Sequence, residues 1–240
     1  MRILHTADWH LGRIFHGEHL TPHQARVLEQ FAAMARETRP DVIIVAGDVY
    51  DRAVPPPDAV ALLDETLARL VVETEAHVIV IAGNHDSPER LGFGAALLRR
   101  ARVHVYGRLD PRVAPLVLED GHGRVAFHAV PFLEPAHTRA ALAALAAGDR
   151  APPETEAATP LPAAGDQAAA MELALAHLKR RHPAGARAVL VAHAMVRGGR
   201  GSDSERPLVI GGAEEVPTAI FDPFHYVALG HLHQAQRAGR

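Results

Sequence analysis

An α/β fold is what this sequence predicts, on three observations. Apolar, β-branched runs such as Asp41–Ala46 (Asp-Val-Ile-Ile-Val-Ala) and His77–Ala82 (His-Val-Ile-Val-Ile-Ala) read as strands buried on both faces. Segments with helical spacing and helix-start residues separate them, so strand and helix alternate as far as Tyr106. Polar motifs of one chemical kind follow the apolar runs, which sets them at strand ends along one sheet edge.

The elements follow in order. Arg2–Thr6 is a short strand running straight into Asp8. Thr21–Thr38 places Val27, Leu28, Phe31, Met34 and Ala35 at helical spacing, and Pro40 closes the segment. After the Asp41–Ala46 strand, Pro55-Pro56-Pro57 opens a helix over Pro57–Glu73, with Asp58 near its N-terminus. The His77–Ala82 strand is followed by a helix over Leu91–Arg100 and a short strand over Val103–Tyr106.

The pattern then changes. Val113–Leu118 and Arg124–Val130, separated by Glu119-Asp120-Gly121-His122-Gly123, predict an antiparallel hairpin, and Arg139–Ala147 a short Ala/Leu helix. Residues 148–167 are rich in Pro, Ala, Thr and acids and predict a mobile loop. Ala168–His182 is helical and ends in the basic run Lys179-Arg180-Arg181-His182, where cations suit the helix dipole. Ala188–Ala192 is a strand leading to His193. A Gly/Ser/Arg loop over Arg197–Arg206 precedes a short strand at Leu208–Ile210, and a last strand at His225–Leu229 leads to Gly230.

At 240 residues, 48% hydrophobic and 22% charged, the chain can bury a full core and is expected to be one domain over 1–240. The formal net charge of −3 does not advertise nucleic acid, although a catalytic groove can be locally basic in a neutral protein. With no cysteine there is neither a disulfide framework nor a thiolate metal site, so any metal must be held by O and N donors. The N-terminus lacks the charged-then-apolar pattern of a signal peptide, and no apolar run has membrane-spanning length. A cytoplasmic protein without membrane contact is the expectation.

Five blocks carry the chemistry: Asp8-Trp9-His10, Gly47-Asp48-Val49-Tyr50-Asp51, Gly83-Asn84-His85-Asp86, His193, and Gly230-His231-Leu232-His233. Residues i and i+2 of an extended segment point the same way, so Asp8 with His10, and His231 with His233, can each face one ion. A carboxylate at Asp48 can bridge two cations, and Asn84 offers a neutral carbonyl oxygen. His85, adjacent but differently oriented, can contact a phosphate and protonate a leaving oxygen, with Asp51 or Asp86 orienting its ring. Singly, each block has a structural reading: a turn-capping Asp48, an Asn84–Asp86 turn before Pro88, a packed His193. Together, carboxylate, carboxamide and imidazole at successive strand ends suit two bridged transition-metal ions and phosphate-ester cleavage.

This order of motifs resembles that of the calcineurin-like metallophosphoesterases, and within them the nuclease subunits of bacterial nuclease–ATPase complexes. The stretches that carry the resemblance are 1–12, 43–51, 82–87 and 226–236, with Pro131-Phe132-Leu133 as a further segment. The resemblance implies two packed mixed β-sheets flanked by helices, a four-layer sandwich. It implies one Mn2+ held by Asp8, His10, Asp48 and His233, and a second by Asp48, Asn84, His193 and His231, with Mg2+ as a substitute. A water attacks phosphorus in line while His85 assists the leaving oxygen. The implied activities are 3′–5′ double-strand exonuclease and single-strand endonuclease in DNA end processing, recombination and repair, with an ATPase partner.

The family also dimerises through helices that map to Pro57–Glu73 and Leu91–Arg100. Its members continue past Gly-His-x-His into further core strands, a DNA-capping domain and a partner-binding tail, so the chain is expected to be a truncated nuclease core. Candidates for DNA contact are Arg13, His16, Arg90, Arg197 and Arg200, which share loops with the motifs. Solvated surface positions are the plainer reading of each. The motifs alone also admit a phosphatase or a small-molecule or cyclic-nucleotide phosphodiesterase, and a non-catalytic DNA-binding scaffold on the same fold.

Overall fold

A computed structural model describes residues 1–146, 167–201 and 215–238. Its first sheet joins β1 (Ile3–Thr6), β4 (Val42–Ala46), β5 (His77–Ile81) and β6 (Val103–Tyr106) in the order β1-β4-β5-β6, every pair parallel. A small hairpin, β2 (Ile14–Phe15) with β3 (Glu18–His19), separates β1 from α1 (Thr21–Thr38), and α2 (Pro57–Thr74) connects β4 to β5. Parallel neighbours need such crossovers, which is why the helical segments fall between the apolar runs.

The second sheet has the order β10-β9-β8-β7, from β7 (Leu116–Asp120), β8 (Gly123–Val130), β9 (Arg187–His193) and β10 (Tyr226–Gly230). The hairpin pair β7–β8 is antiparallel, and β8, β9 and β10 run parallel, so this sheet is the mixed one. Helices α5 (Pro135–Ala146) and α6 (Gln167–Arg180) lie between β8 and β9 in the chain.

The alternation of side chains along the strands assembles four layers. Val42, Ile44, Ala46, Ile79 and Ile81 pack against Val125, Phe127, Val189, Val191 and Ala228 between the two sheets. On the outer face of the first sheet, Ile43, Val45, Val78 and Val80 meet Leu28, Ala32 and Ala35 of α1 and Leu63 and Leu70 of α2. On the outer face of the second, Val130, Leu190 and Ala192 meet Ala170, Met171, Ala174 and Leu178 of α6. Each fully buried Val, Leu or Ile contributes about 1.5–3 kcal/mol of transfer free energy, so this doubly covered core is the main force holding the strand ends in register. No helix among the described residues is long and apolar enough to cross a membrane.

Three expectations shift. The helix expected over Leu91–Arg100 is broken into α3 (Pro88–Leu91), α4 (Ala95–Leu98) and a 3-10 turn at Arg99–Ala101, because Gly92 and Gly94 intervene and Gly94 turns at φ 73. The hairpin loop tightens to Gly121-His122, since β7 continues to Asp120. Gln167, expected in the mobile stretch, instead opens α6, is buried, and donates its Nε2–H to the Leu133 carbonyl at 2.6 Å. The rest of that stretch and the strand at Leu208–Ile210 lie outside the described residues.

Candidate metal centre

The loops after β1, β4, β5, β9 and β10 meet at one edge of the paired sheets. The Asp8 loop lies against the Asp48 loop through main-chain bonds: Asp8, His10 and Leu11 N–H donate to the carbonyls of Gly47, Asp48 and Val49 at 3.0, 2.9 and 2.9 Å. His231 N–H donates to both oxygens of Asp8 at 3.0 and 3.1 Å, tying the β10 loop to the β1 loop. His85 N–H donates to Asp48 Oδ1 at 2.9 Å.

Three donor groups result among the described residues: His10, Asp51 and His85 form one, and the other two hold the residues expected as ligands. In the first of these two, Asp8, His10 and His233 bring one ligand atom each within 4.8 Å of the others, and the Nε2 atoms of His10 and His233 stand 3.1 Å apart. In the second, Asp48, His193 and His231 do the same; Asn84 Oδ1 joins them, 3.0 Å from His193 Nε2 and 3.0 Å from His231 Nδ1. Asp48 lies between the clusters, its Oδ2 3.7 Å from His10 Nε2 and 3.5 Å from His193 Nε2. All seven residues expected as ligands are therefore together, and Asp48 is the shared one.

The donor set fits divalent cations. His193 Nδ1–H donates to the Ala46 carbonyl at 2.9 Å, which turns the other ring nitrogen toward Asn84 and Asp48. His10 Nδ1 faces Asp51 Oδ1 at 3.5 Å, which leaves its Nε2 for the cluster. Ring nitrogens and carboxylate and carboxamide oxygens thus converge. O and N donors without sulfur match Mn2+, Mg2+, Zn2+ or Fe2+ rather than a thiophilic ion.

Charge at the centre is unbalanced by burial. Asp8 is pushed up to about 6 by desolvation, despite the opposing pull of His193. Burial also opposes the charged form of Asp48, but the His193 imidazole outweighs it and holds that carboxyl far below the usual range. Desolvation pulls His193 down, yet the adjacent Asp48 carboxylate wins and raises it to about 9. His231 is lowered to about 4, first by burial and then by the neighbouring His193.

The backbone is bent to suit. Among the non-glycine residues at positive φ are Asp8 (56°), His10 (46°), Asp48 (49°) and His231 (103°). Such conformations cost about 1–3 kcal/mol each, and strain of this kind gathers at ligand-holding sites. The glycines beside them are required by space. A Cβ on Gly83 would run into Asp48 Oδ1 and N, and one on Gly230 into the Ala46 carbonyl.

His85 stands beside the first cluster, its ring edge-on to His10 with centroids 4.8 Å apart. Of the two residues expected to orient its ring, Asp51 makes the contact, through its main chain rather than its carboxylate. His85 Nδ1–H donates to the main-chain carbonyl of Asp51 at 2.9 Å, while the Asp51 carboxylate faces His10. Asp86 does not orient the ring: its buried carboxylate accepts from the N–H groups of Val49, Tyr50 and Gly83 at 3.0, 2.8 and 2.8 Å. It is a strut between the Asp48 and Asn84 loops. Its place in the turn before Pro88 was legible in the sequence, but its main-chain partners were not.

The candidate DNA contacts are spread around the rim. Arg13 begins, and His16 turns, the β2–β3 hairpin that leaves the His10 loop; the His16 ring lies edge-on to the exposed Phe15, centroids 4.3 Å apart. Arg90 Nη1–H donates to the Ala53 carbonyl at 2.9 Å, bracing the loop that carries Asp51. Arg197 faces Glu215 at 3.7 Å, and the Arg200 backbone pairs with the Gln236 carboxamide at 2.8 and 2.7 Å.

Residues 1–142, more than half of the chain, match the family described as calcineurin-like phosphoesterase. The protein belongs to that family. The phosphoesterase is thus a metal-dependent hydrolase of phosphoesters. The matched segment holds Asp8, His10, Asp48, Asn84 and His85; geometry alone adds His193, His231 and His233 to the same centre.

Proposed function

We propose that the phosphoesterase is a DNA nuclease that hydrolyses phosphodiesters with two Mn2+ ions, one in each cluster. Asp8, His10 and His233 would hold one ion, Asn84, His193 and His231 the other, and Asp48 both. Bound there, the ions supply Lewis-acid stabilisation of the phosphoryl oxygens and a nucleophile at neutral pH. His85, with its Nδ1 proton committed to the Asp51 carbonyl, has Nε2 available to protonate the leaving oxygen. The observation that carries the two-ion reading is Asp48 Oδ2 lying within 3.7 Å of ring nitrogens from both clusters.

The substrate reading rests on the flanks of the motifs. Residues 1–12, 43–51, 82–87 and 226–236 resemble SbcD, the nuclease subunit of bacterial SbcCD complexes. On that resemblance the activity is 3′–5′ exonuclease on duplex ends and endonuclease on single strands, in DNA repair and recombination with an SbcC-type ATPase. Homodimerisation through the α2 and α3–α4 regions belongs to the same proposal, and the high exposure of Phe93 (86%) and Leu97 (75%) supports it.

The test is incubation with Mn2+ of end-labelled linear duplex, circular single-stranded DNA and p-nitrophenyl phosphate esters, with His85→Ala in parallel. DNA cleavage that His85→Ala abolishes is the expected result. Turnover of the small esters alone would identify a phosphatase or small-molecule phosphodiesterase, and tight DNA binding without turnover a scaffold.

A further inference from the structure

The loop carrying Asp8 and His10 is fixed from outside the metal centre by one side chain. Three main-chain groups of that loop, the carbonyls of Trp9 and His10 and the N–H of Gly12, meet the carboxamide of Gln24 in the first turn of α1. Gln24 Nε2 donates to Trp9 O at 3.0 Å and to His10 O at 2.7 Å, and its Oε1 accepts from Gly12 N–H at 3.1 Å. A carboxamide has two N–H hydrogens, and both are engaged. The flipped amide would set its oxygen against two carbonyls and its NH2 against an N–H, so only one orientation satisfies the loop.

The other side of the loop is equally constrained. Gly12 sits at φ 82, and a Cβ there would lie 2.7 Å from Pro56 Cδ. The segment is wedged between α1 and the start of α2, with Asp8 and His10 held at φ 56 and 46. Non-glycine residues keep such angles only where their surroundings over-determine them. Gln24 adds to the main-chain bonds that the loop makes to Gly47, Asp48 and Val49, although it offers no ligand atom itself. Its position on the stripe of Leu28, Ala32 and Ala35 sets a polar residue on the buried face of α1.

We infer that Gln24 is a positioning residue for the first cluster: it holds the Asp8–His10 loop so that these side chains converge with His233 on a divalent cation. This rests on the two-site reading of the centre. Losing Gln24 weakens cation binding chiefly at the Asp8–His10–His233 cluster; the Asn84–His193–His231 cluster meets that loop through His231 N–H on the Asp8 carboxylate and is affected less. Outer partners of this kind typically change metal affinity by about 10–100-fold.

Two measurements on the full chain test it. Gln24→Met keeps length and volume without hydrogen bonds; Gln24→Glu keeps the acceptor for Gly12 but turns charged oxygen on two carbonyls. Calorimetric titration with Mn2+ should show two sites in the wild type. In both variants one site should weaken by about 10–100-fold and the other change by less than about twofold. Asn84→Ala, titrated alongside, should weaken the opposite site. In the metal-free Gln24→Met protein, hydrogen exchange at the His10 and Leu11 amides, whose own acceptors the substitution leaves in place, should quicken by about tenfold relative to Ile44. A two-site wild type whose affinities survive Gln24→Met, or fall in parallel at both sites, overturns the inference alone. A wild type with fewer than two Mn2+ sites overturns the reading beneath it and takes the inference with it.

Discussion

The Asn84 carboxamide oxygen lies 3.0 Å from His193 Nε2, while His193 Nδ1–H is already committed to the Ala46 carbonyl. With a neutral ring and the Asn84 oxygen turned toward it, two acceptors would face each other beside a fully buried imidazole. A proton on Nε2, a cation between the two atoms or a flipped Asn84 carboxamide removes that conflict. Asp48 favours the proton, raising His193 to about 9. A metal-free His193 held as an imidazolium by Asp48 would have to give up that proton to a cation.

It follows that Mn2+ binding at about pH 7.5 releases close to one proton from His193. The apparent affinity should rise about tenfold per pH step of one from 7 to 9 and level off above, because the raised group loses its competing proton only through that window. Calorimetry in buffers of different ionisation enthalpy measures the proton count directly. A count near zero with the same affinity at pH 7 and 9 contradicts this assignment.

His85 donates Nδ1–H to a main-chain oxygen and belongs to neither donor cluster of the seven ligands. His85→Ala should lower kcat by about 100- to 10,000-fold, the usual contribution of a positioned acid. Mn2+ stoichiometry should be unchanged, whereas Asn84→Ala should lose affinity at its own site. Parallel loss of metal and activity in His85→Ala would move this residue into the ligand set.

The Asp86 strut gives a stability prediction. An Asn at this position has one acceptor oxygen for three buried N–H groups and sets an NH2 against at least one of them. Asp86→Asn should cost about 2–4 kcal/mol in urea unfolding of the metal-free protein. A change below about 0.5 kcal/mol, the range of surface substitutions, would mean that the two loops hold together without it.

Histidines away from the centre set an acid limit. Burial lowers His104 to about 4, with further contributions from His77 and Arg99, and lowers His128 to about 4, with a further contribution from His182. In the unfolded chain each protonates near 6.5, so the unfolded state binds more protons between there and 4, and stability falls as the pH drops through that window. From about pH 7 to about pH 5, each should withdraw about 2 kcal/mol. Urea unfolding of metal-free His104→Gln/His128→Gln, compared with wild type at both pH values, should show a loss smaller by roughly that amount per residue. Equal losses would place the acid sensitivity elsewhere.

What could be read from the sequence was whatever repeats a period or sits in a motif. The buried runs at 42–46 and 77–81 and the polar residues after them were legible, because doubly covered parallel strands have no polar face and their ends are the only place for Asp48 or Asn84. Interactions through the main chain were not. Nothing in the letters says that His85 leans on the Asp51 carbonyl, that Asp86 collects three N–H groups, or that Arg90 braces Ala53. Gln24 left one trace, a polar residue on an apolar helix stripe, whose meaning depends on the loop it meets across space. The breaks at Gly92 and Gly94 were visible, but helical spacing on either side hid them.

If two cations share Asp48, anomalous diffraction at the manganese edge from crystals grown with Mn2+ should show it. Two peaks are expected, one among Asp8, His10 and His233 and one among Asn84, His193 and His231, with the Asp48 carboxylate between them. A single peak, or two peaks of which Asp48 touches only one, would contradict it.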